Sequence, residues 1–230
     1  MRETLAATLR IGFVVSLLVL VSSLAWGGTV DCSTVNTVGD LIGLGSGGCI
    51  QQDKIYYNVT VTPSWDPSHP IPTDATVVFN LTTLPGMDVH DFTINFANLL
   101  TAGTYVIDYW IKIDPSSPNY YNYMITNVLV SENLSDRNGG TTDTKVVLDS
   151  SGNVLLTLVA TKADGQSANG DVFQNMLHIE ETIVVKGGDT LHSITDEFTE
   201  TFIPEPGTMA FVGAGLLGLG ALLRRRVSKK

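Results

Sequence analysis

The chain has 230 residues, with 13 Lys and Arg against 23 Asp and Glu for a net charge of −10, 43% hydrophobic residues and only two cysteines. That length suits one domain with a sizeable core. An acidic surface repels phosphate backbones, whose binding rests on Lys and Arg neutralising phosphates, so nucleic acid is excluded as a partner and cations or basic molecules are favoured.

At the N-terminus, Arg2 and Arg10 precede an apolar run from Ile11 to Leu24 and then small residues. This is the n-region, h-region and cleavage-site order of a secretory signal peptide. Ala25, Trp26 and Gly27 fit a small-x-small site cut after Gly27, and Ser23, Leu24 and Ala25 offer a second site cut after Ala25. The short run favours a cleaved signal over a permanent anchor, so residues 1–27 are expected to be removed. An exported cysteine pair is oxidised by default, and Cys32 and Cys49 are therefore expected to form a disulfide. Closing a loop of this length stabilises by about 3 kcal/mol in the chain-entropy model. Within the loop, Thr37 with Asp40 three residues on reads as a variant capping box, which starts a short helix over Val38 to Leu44. A redox or metal role for the cysteines is disfavoured by the 16 residues between them and the lack of a second ligand pair.

After Asp53 the chain becomes a series of short runs rich in Val, Ile, Thr and Tyr, broken by Gly, Pro, Asn, Asp and Ser, as antiparallel strands read. Nine strands are predicted: Lys54 to Pro63, Ala75 to Leu84, Val89 to Ala97, Gly103 to Asp114, Tyr120 to Glu132, Thr144 to Asp149, Asn153 to Lys162, Asn175 to Lys186 and Thr190 to Phe202. In the first, Tyr57, Val59 and Val61 are expected on one face and Asn58, Thr60 and Thr62 on the other. The loop from Ser64 to Asp74 holds Pro67, Pro70 and Pro72, which forbid a central strand, with Trp65 expected over a sheet edge. In Tyr105 to Ile113, Tyr105, Ile107, Tyr109, Ile111 and Ile113 share a buried face, and Asp108 and Lys112 lie on the wet one. Thr144 to Lys162 reads as a hairpin turning at Ser150 to Asn153. No helices are available to cross between parallel strands, so the predicted fold is all-β: an antiparallel β-sandwich, jelly-roll-like, with a closed barrel as the alternative.

Candidate sites are sparse. None of His69, His90, His178 and His192 sits in a HExxH or HxH arrangement. Asp88 and His90 would share a strand face, with Asp91 beside them, but no third metal ligand is identifiable. Ser135 to Thr142 and Ala163 to Asp171 offer oxygens for calcium, yet lack EF-hand spacing and read as turns. Glu180 and Glu181 point to opposite faces of a strand and cannot act together in glycoside hydrolysis. There is no GxSxG, phosphate-cradling loop or free cysteine nucleophile, so no enzymatic activity, cofactor or metal is expected. The Asn-x-Ser/Thr triplets at Asn58, Asn80 and Asn133 carry no weight. Tyr56, Tyr57, Tyr120, Tyr121 and Tyr123 include adjacent pairs that face both sides of a strand, and an exposed aromatic platform can stack on sugar rings.

The chain ends on Pro204, Glu205 and Pro206, an apolar segment from Gly207 to Leu223, then Arg224, Arg225 and Arg226, followed by Val227, Ser228, Lys229 and Lys230. As helix, the 17 apolar residues reach roughly 26 Å at about 1.5 Å per residue, just enough to span a bilayer core. The cations behind them would hold that end in the cytoplasm and place everything before Pro204 outside. Between the two ends, residues 28–204 carry six Lys and Arg against 21 Asp and Glu, a net charge of −15, a solubilising charge for an exported domain.

A Pro-Glu-Pro triplet, apolar helix and terminal basic cluster, in a chain that also has a signal peptide, resembles the PEP-CTERM sorting signal of exported Gram-negative proteins. The Cys-bounded segment with its glycine-rich run is also similar, more weakly, to the start of many such proteins. The resemblance implies that an exosortase, a membrane protease or transpeptidase, recognises residues 204–230 and cuts at or near Pro204 to Pro206. The protein would then pass from transient anchoring in the inner membrane to the cell surface or medium, in a setting of extracellular polysaccharide and biofilm matrix. An uncut C-terminal anchor is the alternative for the tail. For residues 28–203, the exported domain, a structural or adhesive role leads, with a carbohydrate- or calcium-binding lectin-like module as the alternative.

Overall fold

A computed structural model of the protein describes residues 28–62, 72–118, 120–135, 140–203 and 212–217. The expected signal peptide, Trp65 with most of its Pro-rich loop, and Pro204, Glu205, Pro206, Arg224, Arg225 and Arg226 lie outside these residues. Among the described residues, no helix is long and apolar enough to cross a membrane.

The strands are β1 (Val30–Asp31), β2 (Cys49–Gln51), β3 (Lys54–Thr62), β4 (Thr76–Leu84), β5 (Met87–Leu100), β6 (Gly103–Ile113), β7 (Tyr123–Ser135), β8 (Thr142–Leu148), β9 (Val154–Thr161), β10 (Ser167–Gln174), β11 (Met176–Val185) and β12 (Thr190–Phe202). They form a seven-stranded sheet in the order β1-β2-β3-β6-β11-β8-β9 and a five-stranded sheet in the order β10-β7-β12-β5-β4. Only β1 and β2 pair in parallel. The pairs β5 with β12, β6 with β11, β7 with β10 and β8 with β9 nest inside one another, which is an antiparallel ribbon folded over itself in the manner of a jelly roll. Two sheets with separate edges replace the closed barrel kept as an alternative.

Period-two alternation builds the core. Along β6, Tyr105, Ile107, Tyr109, Ile111 and Ile113 are all buried, as the sequence alternation predicts. The sheets meet through aromatic rings. Tyr56 of β3 lies 5.0 Å from Phe79 of β4 and 5.7 Å from Phe92 of β5, and Tyr109 of β6 lies 5.3 Å from Phe92. At one side, β9 and β10 are edge strands of opposite sheets, and Gly170 packs against Leu156 and Leu158 where they meet.

The N-terminal segment follows its sequence signals. Cys32 and Cys49 are joined, with Cα atoms 4.9 Å apart. Helix α1 (Val38–Gly43) opens with a complete capping box: the Asp40 amide donates to Thr37 Oγ1 at 3.1 Å, and the Thr37 amide donates to Asp40 Oδ2 at 3.0 Å.

The short strands β1 and β2 fall outside the nine predicted, and two further features depart from the sequence reading. In β3 the buried side chains are Lys54, Ile55, Tyr56 and Val59, with Tyr57 only half-buried, so the expected face of Tyr57, Val59 and Val61 is corrected. The register of β3 against β6 shifts between Tyr57 and Thr60, and Asn58 sits at φ 53°. An extra residue there resets the alternation, as β-bulges do, and Asn is among the few side chains that tolerate this backbone. The second departure is β10. Ser167–Gln174 is a strand on the edge beside β7, although Gly, Asn and Asp made it read as a turn.

Candidate functional site

Three clusters of charge and aromatic rings stand out, two inside the sandwich and one on its surface. The first lies between the sheets. Lys145 of β8 is fully buried, and its ammonium pairs directly with Asp196 Oδ1 of β12 and donates to the Leu129 carbonyl at 3.3 Å. The other Asp196 oxygen accepts the Tyr109 hydroxyl. Glu181 of β11 is the register partner of Lys145, and Asp143 stands two residues before Lys145 on the same inward face; both are fully buried. Neither of these carboxyls has a hydrogen-bond partner at close range. Burial pushes Asp143 up to about 7, with the charge of Asp196 adding to it while a contact with Glu181 and the charge of Lys145 pull it partly back. Burial, then the charges of Asp143 and Asp196, push Glu181 well above the carboxylate range.

The second cluster surrounds His90. The buried Lys54 ammonium pairs with Glu200 and, at 2.8 Å, with Asp53. His90 Nε2 lies 3.7 Å from Glu200 Oε2, and Gln51 faces His90 Nδ1 at 3.3 Å. Burial raises the Glu200 carboxyl, but the His90 contact and the Lys54 charge outweigh it and hold the group below its ordinary value. Asp53, His90 and Glu200 could each offer one atom to a metal. Lys54 already supplies the cation there, so the cluster reads as a buried ion network. The fold thus adds Asp53 and Glu200 to His90, partners that sequence spacing could not reveal, while Asp88 turns to Gln52 at 3.3 Å.

The third cluster lies on the outer face of the seven-stranded sheet, where β3, β6 and β11 run side by side. Trp110 stacks on His178, with ring centres 4.4 Å apart and planes at 3°, and Tyr57 follows at 6.2 Å from Trp110. Lys112 Nζ sits 4.7 Å above the Tyr57 ring. His178 Nε2 and Asp108 Oδ2 are 2.8 Å apart, and Glu180 is the register partner of Asp108. Flat rings flanked by hydrogen-bonding carboxylates can stack on a sugar and hold its hydroxyls. Asp108, His178 and Glu180 could also each direct one atom at a metal.

The sequence-derived candidates scatter. Tyr57 joins this strip, whereas Tyr56 is buried in the core, Tyr120 packs on Tyr121, and Tyr123 packs on Phe202. The tyrosines therefore form no shared platform. Trp110, which sequence reasoning missed, lies at the centre of the strip; its place in the alternation after Asp108 was the available signal. Glu180 is exposed and Glu181 buried, on opposite faces as expected. Ala163 to Asp171 passes from a short 3-10 turn into β10. His192 meets Ser135 at 3.0 Å, and His69 lies outside the described residues.

Comparison with known proteins bears mainly on the tail. No curated protein matches the chain. Among solved structures, the enzymatically active domain of bacteriophage CBA120 tailspike protein 4 is similar at 12% identity and a TM-score of 0.24, over 52% of this chain and 19% of its own. Arthrobacter globiformis T6 isomalto-dextranase complexed with panose is similar at 9% identity and a TM-score of 0.24, over 62% of this chain and 23% of its own. This chain thus spans about a fifth of the length of either. The family model described as the PEP-CTERM protein-sorting motif matches residues 202–226, a stretch that begins at the last residue of β12. The chain therefore carries a PEP-CTERM protein-sorting motif, the mark of an exported protein sorted by an exosortase.

Proposed function

We propose that this is a surface or matrix protein whose jelly-roll domain is delivered by its C-terminal motif and released by exosortase cutting at or next to Pro204, Glu205 and Pro206. Arg224, Arg225 and Arg226 hold the tail in the inner membrane until then, and the signal peptide carries the chain across. The domain acts without enzymatic turnover, in a structural or adhesive role among extracellular polysaccharides. The observation that carries this reading is the motif match over residues 202–226. Changing Pro204, Glu205 and Pro206 together to alanine should leave full-length protein in the inner membrane. Normal surface delivery of that variant would refute the reading.

A second reading, carbohydrate binding, is favoured by the strip of Tyr57, Trp110 and His178 with Asp108 beside it. It gives the adhesive role a surface. Retardation of the domain in gels containing the cell's own polysaccharide, lost on Trp110→Ala, is the expected outcome; equal mobility with and without polysaccharide would remove this reading.

A further inference from the structure

Lys145 and Lys54 are the fully buried lysines among the described residues, and lysine is almost never found there without a strong reason. At Lys145 the surroundings exceed what an ion pair needs. One carboxylate, Asp196, compensates the ammonium. Two further carboxyls, Glu181 and Asp143, are buried beside it without close hydrogen-bond partners, and each such group in a core calls for an explanation. The walls are apolar and aromatic: Phe198 lies 5.5 Å from Lys145 Nζ, and Val130, the register partner of Asp196, is fully buried.

We propose that Lys145 and Asp196 are joined by an amide bond between Nζ and Cγ, a covalent cross-link through the core that the chain forms on itself. Lys145 belongs to the seven-stranded sheet and Asp196 to the five-stranded sheet, so the bond ties the two layers of the sandwich together. It stands independently of how the chain is sorted.

The chemistry balances without any co-reactant. Glu181, which burial holds protonated, first gives its proton to Asp196 Oδ1; the carboxylate so formed takes a proton from the Lys145 ammonium, and the free amine attacks Asp196 Cγ. Tyr109 donates to Asp196 Oδ2, the oxygen that the amide keeps, and so steadies the negative charge that develops there. Oδ1, the oxygen against Lys145, departs. The nitrogen loses two protons in all, and both leave with Oδ1 as water, passed across by Glu181. A carboxyl that burial pushes well above the carboxylate range is suited to that transfer, because it can give a proton and then retake one. Folding supplies the high effective concentration. The product is neutral, which removes a desolvated ion pair that is expensive to keep in a core, and the dry site opposes hydrolysis. At Lys54 the neighbouring Glu200 is instead held ionised by His90 and Lys54, so the neutral acid found beside Lys145 is missing.

The test is a peptide map by tandem mass spectrometry of the full-length chain from its exporting cell, beside Lys145→Arg, Asp196→Ala and Glu181→Gln. The expected result is a joined pair of peptides, one containing Lys145 and the other Asp196, lighter by one water than the two free peptides together. The pair should vanish in K145R and D196A and fall at least tenfold in E181Q. Free Lys145 and Asp196 peptides as the only species in folded wild type would overturn the proposal. So would a water loss that persists in K145R, or an undiminished pair in E181Q. Because the K145R and D196A chains need not fold, the wild-type map decides by itself.

Discussion

Replacing Asp143 with Asn tests whether the core holds carboxyls that resist ionisation. In the fold Asp143 titrates near 7 against 3.8 for an ordinary aspartate, chiefly because it is buried. Below pH 3.8 both the folded and unfolded forms are protonated, and the group contributes nothing to pH dependence. Between 3.8 and 7 the unfolded chain has lost the proton and the folded one keeps it, so stability falls as pH rises, by about 1.4 kcal/mol per pH unit. Above 7 the full cost, on the order of 4 kcal/mol, is in place. Asn keeps the shape and removes the titration. The stability difference between D143N and wild type should therefore move in favour of the variant by roughly 3 kcal/mol from pH 5 to pH 8; groups that do not face Asp143 cancel, and Glu181, which loses the Asp143 charge, moves down toward its ordinary range in the variant. Urea unfolding at each pH, followed by circular dichroism, reads this out. A difference that stays constant across that range would refute the reasoning.

The other predictions concern the N-terminal segment and the outer face. Reducing the Cys32–Cys49 bond should lower the melting temperature by roughly 6 to 12 °C, from a loss of about 3 kcal/mol in a domain of this size; unchanged melting in calorimetry would mean that the bond is idle. Gly48→Ala should destabilise by several kcal/mol in urea titration, on the order of 3 or more. Gly48 has φ +65°, and a Cβ there would meet the Tyr56 carbonyl oxygen at 2.2 Å and Tyr57 Cβ at 2.6 Å. Wild-type stability for G48A would contradict that geometry. Asn58→Gly should be tolerated within about 0.5 kcal/mol while Asn58→Val costs about 1 to 2 kcal/mol, because the bulge holds this residue left-handed; equal stability of the two variants would contradict the bulge.

The sandwich was legible where one rule governed a whole stretch. The alternation of Tyr105 to Ile113 and the turn-rich hairpin at Ser150 to Asn153 each involve local residues, and β12 begins and ends where its Thr-rich alternation does. The reading slipped where a backbone irregularity or a neighbour decided the outcome. Nothing in Asn58 alone announces a bulge, and Ser167 to Gln174 becomes a strand only because β7 offers it an edge. The charged core was hidden for a further reason. Lys145 and Glu181 stand opposite each other 36 residues apart in sequence, and Asp196 comes from the other sheet. Patterning treats such residues as solvent-facing, so only the pairing of strands and layers shows that they meet. The surface strip likewise draws Tyr57, Trp110 and His178 from three strands. The sorting motif is contiguous, so it could be read from the sequence, and the matched residues 202–226 overlap the expected 204–230.

That motif carries the central claim, which the mass of the mature protein tests most directly. The protein would be recovered from membrane, surface and medium fractions, and both of its ends fixed by intact-mass measurement and terminal sequencing. The account predicts a chain in the surface or medium fraction that begins near residue 28 and ends at or next to Pro204 to Pro206. A chain found only in membranes and still carrying Arg224 to Lys230 would contradict it and leave a simple anchored protein.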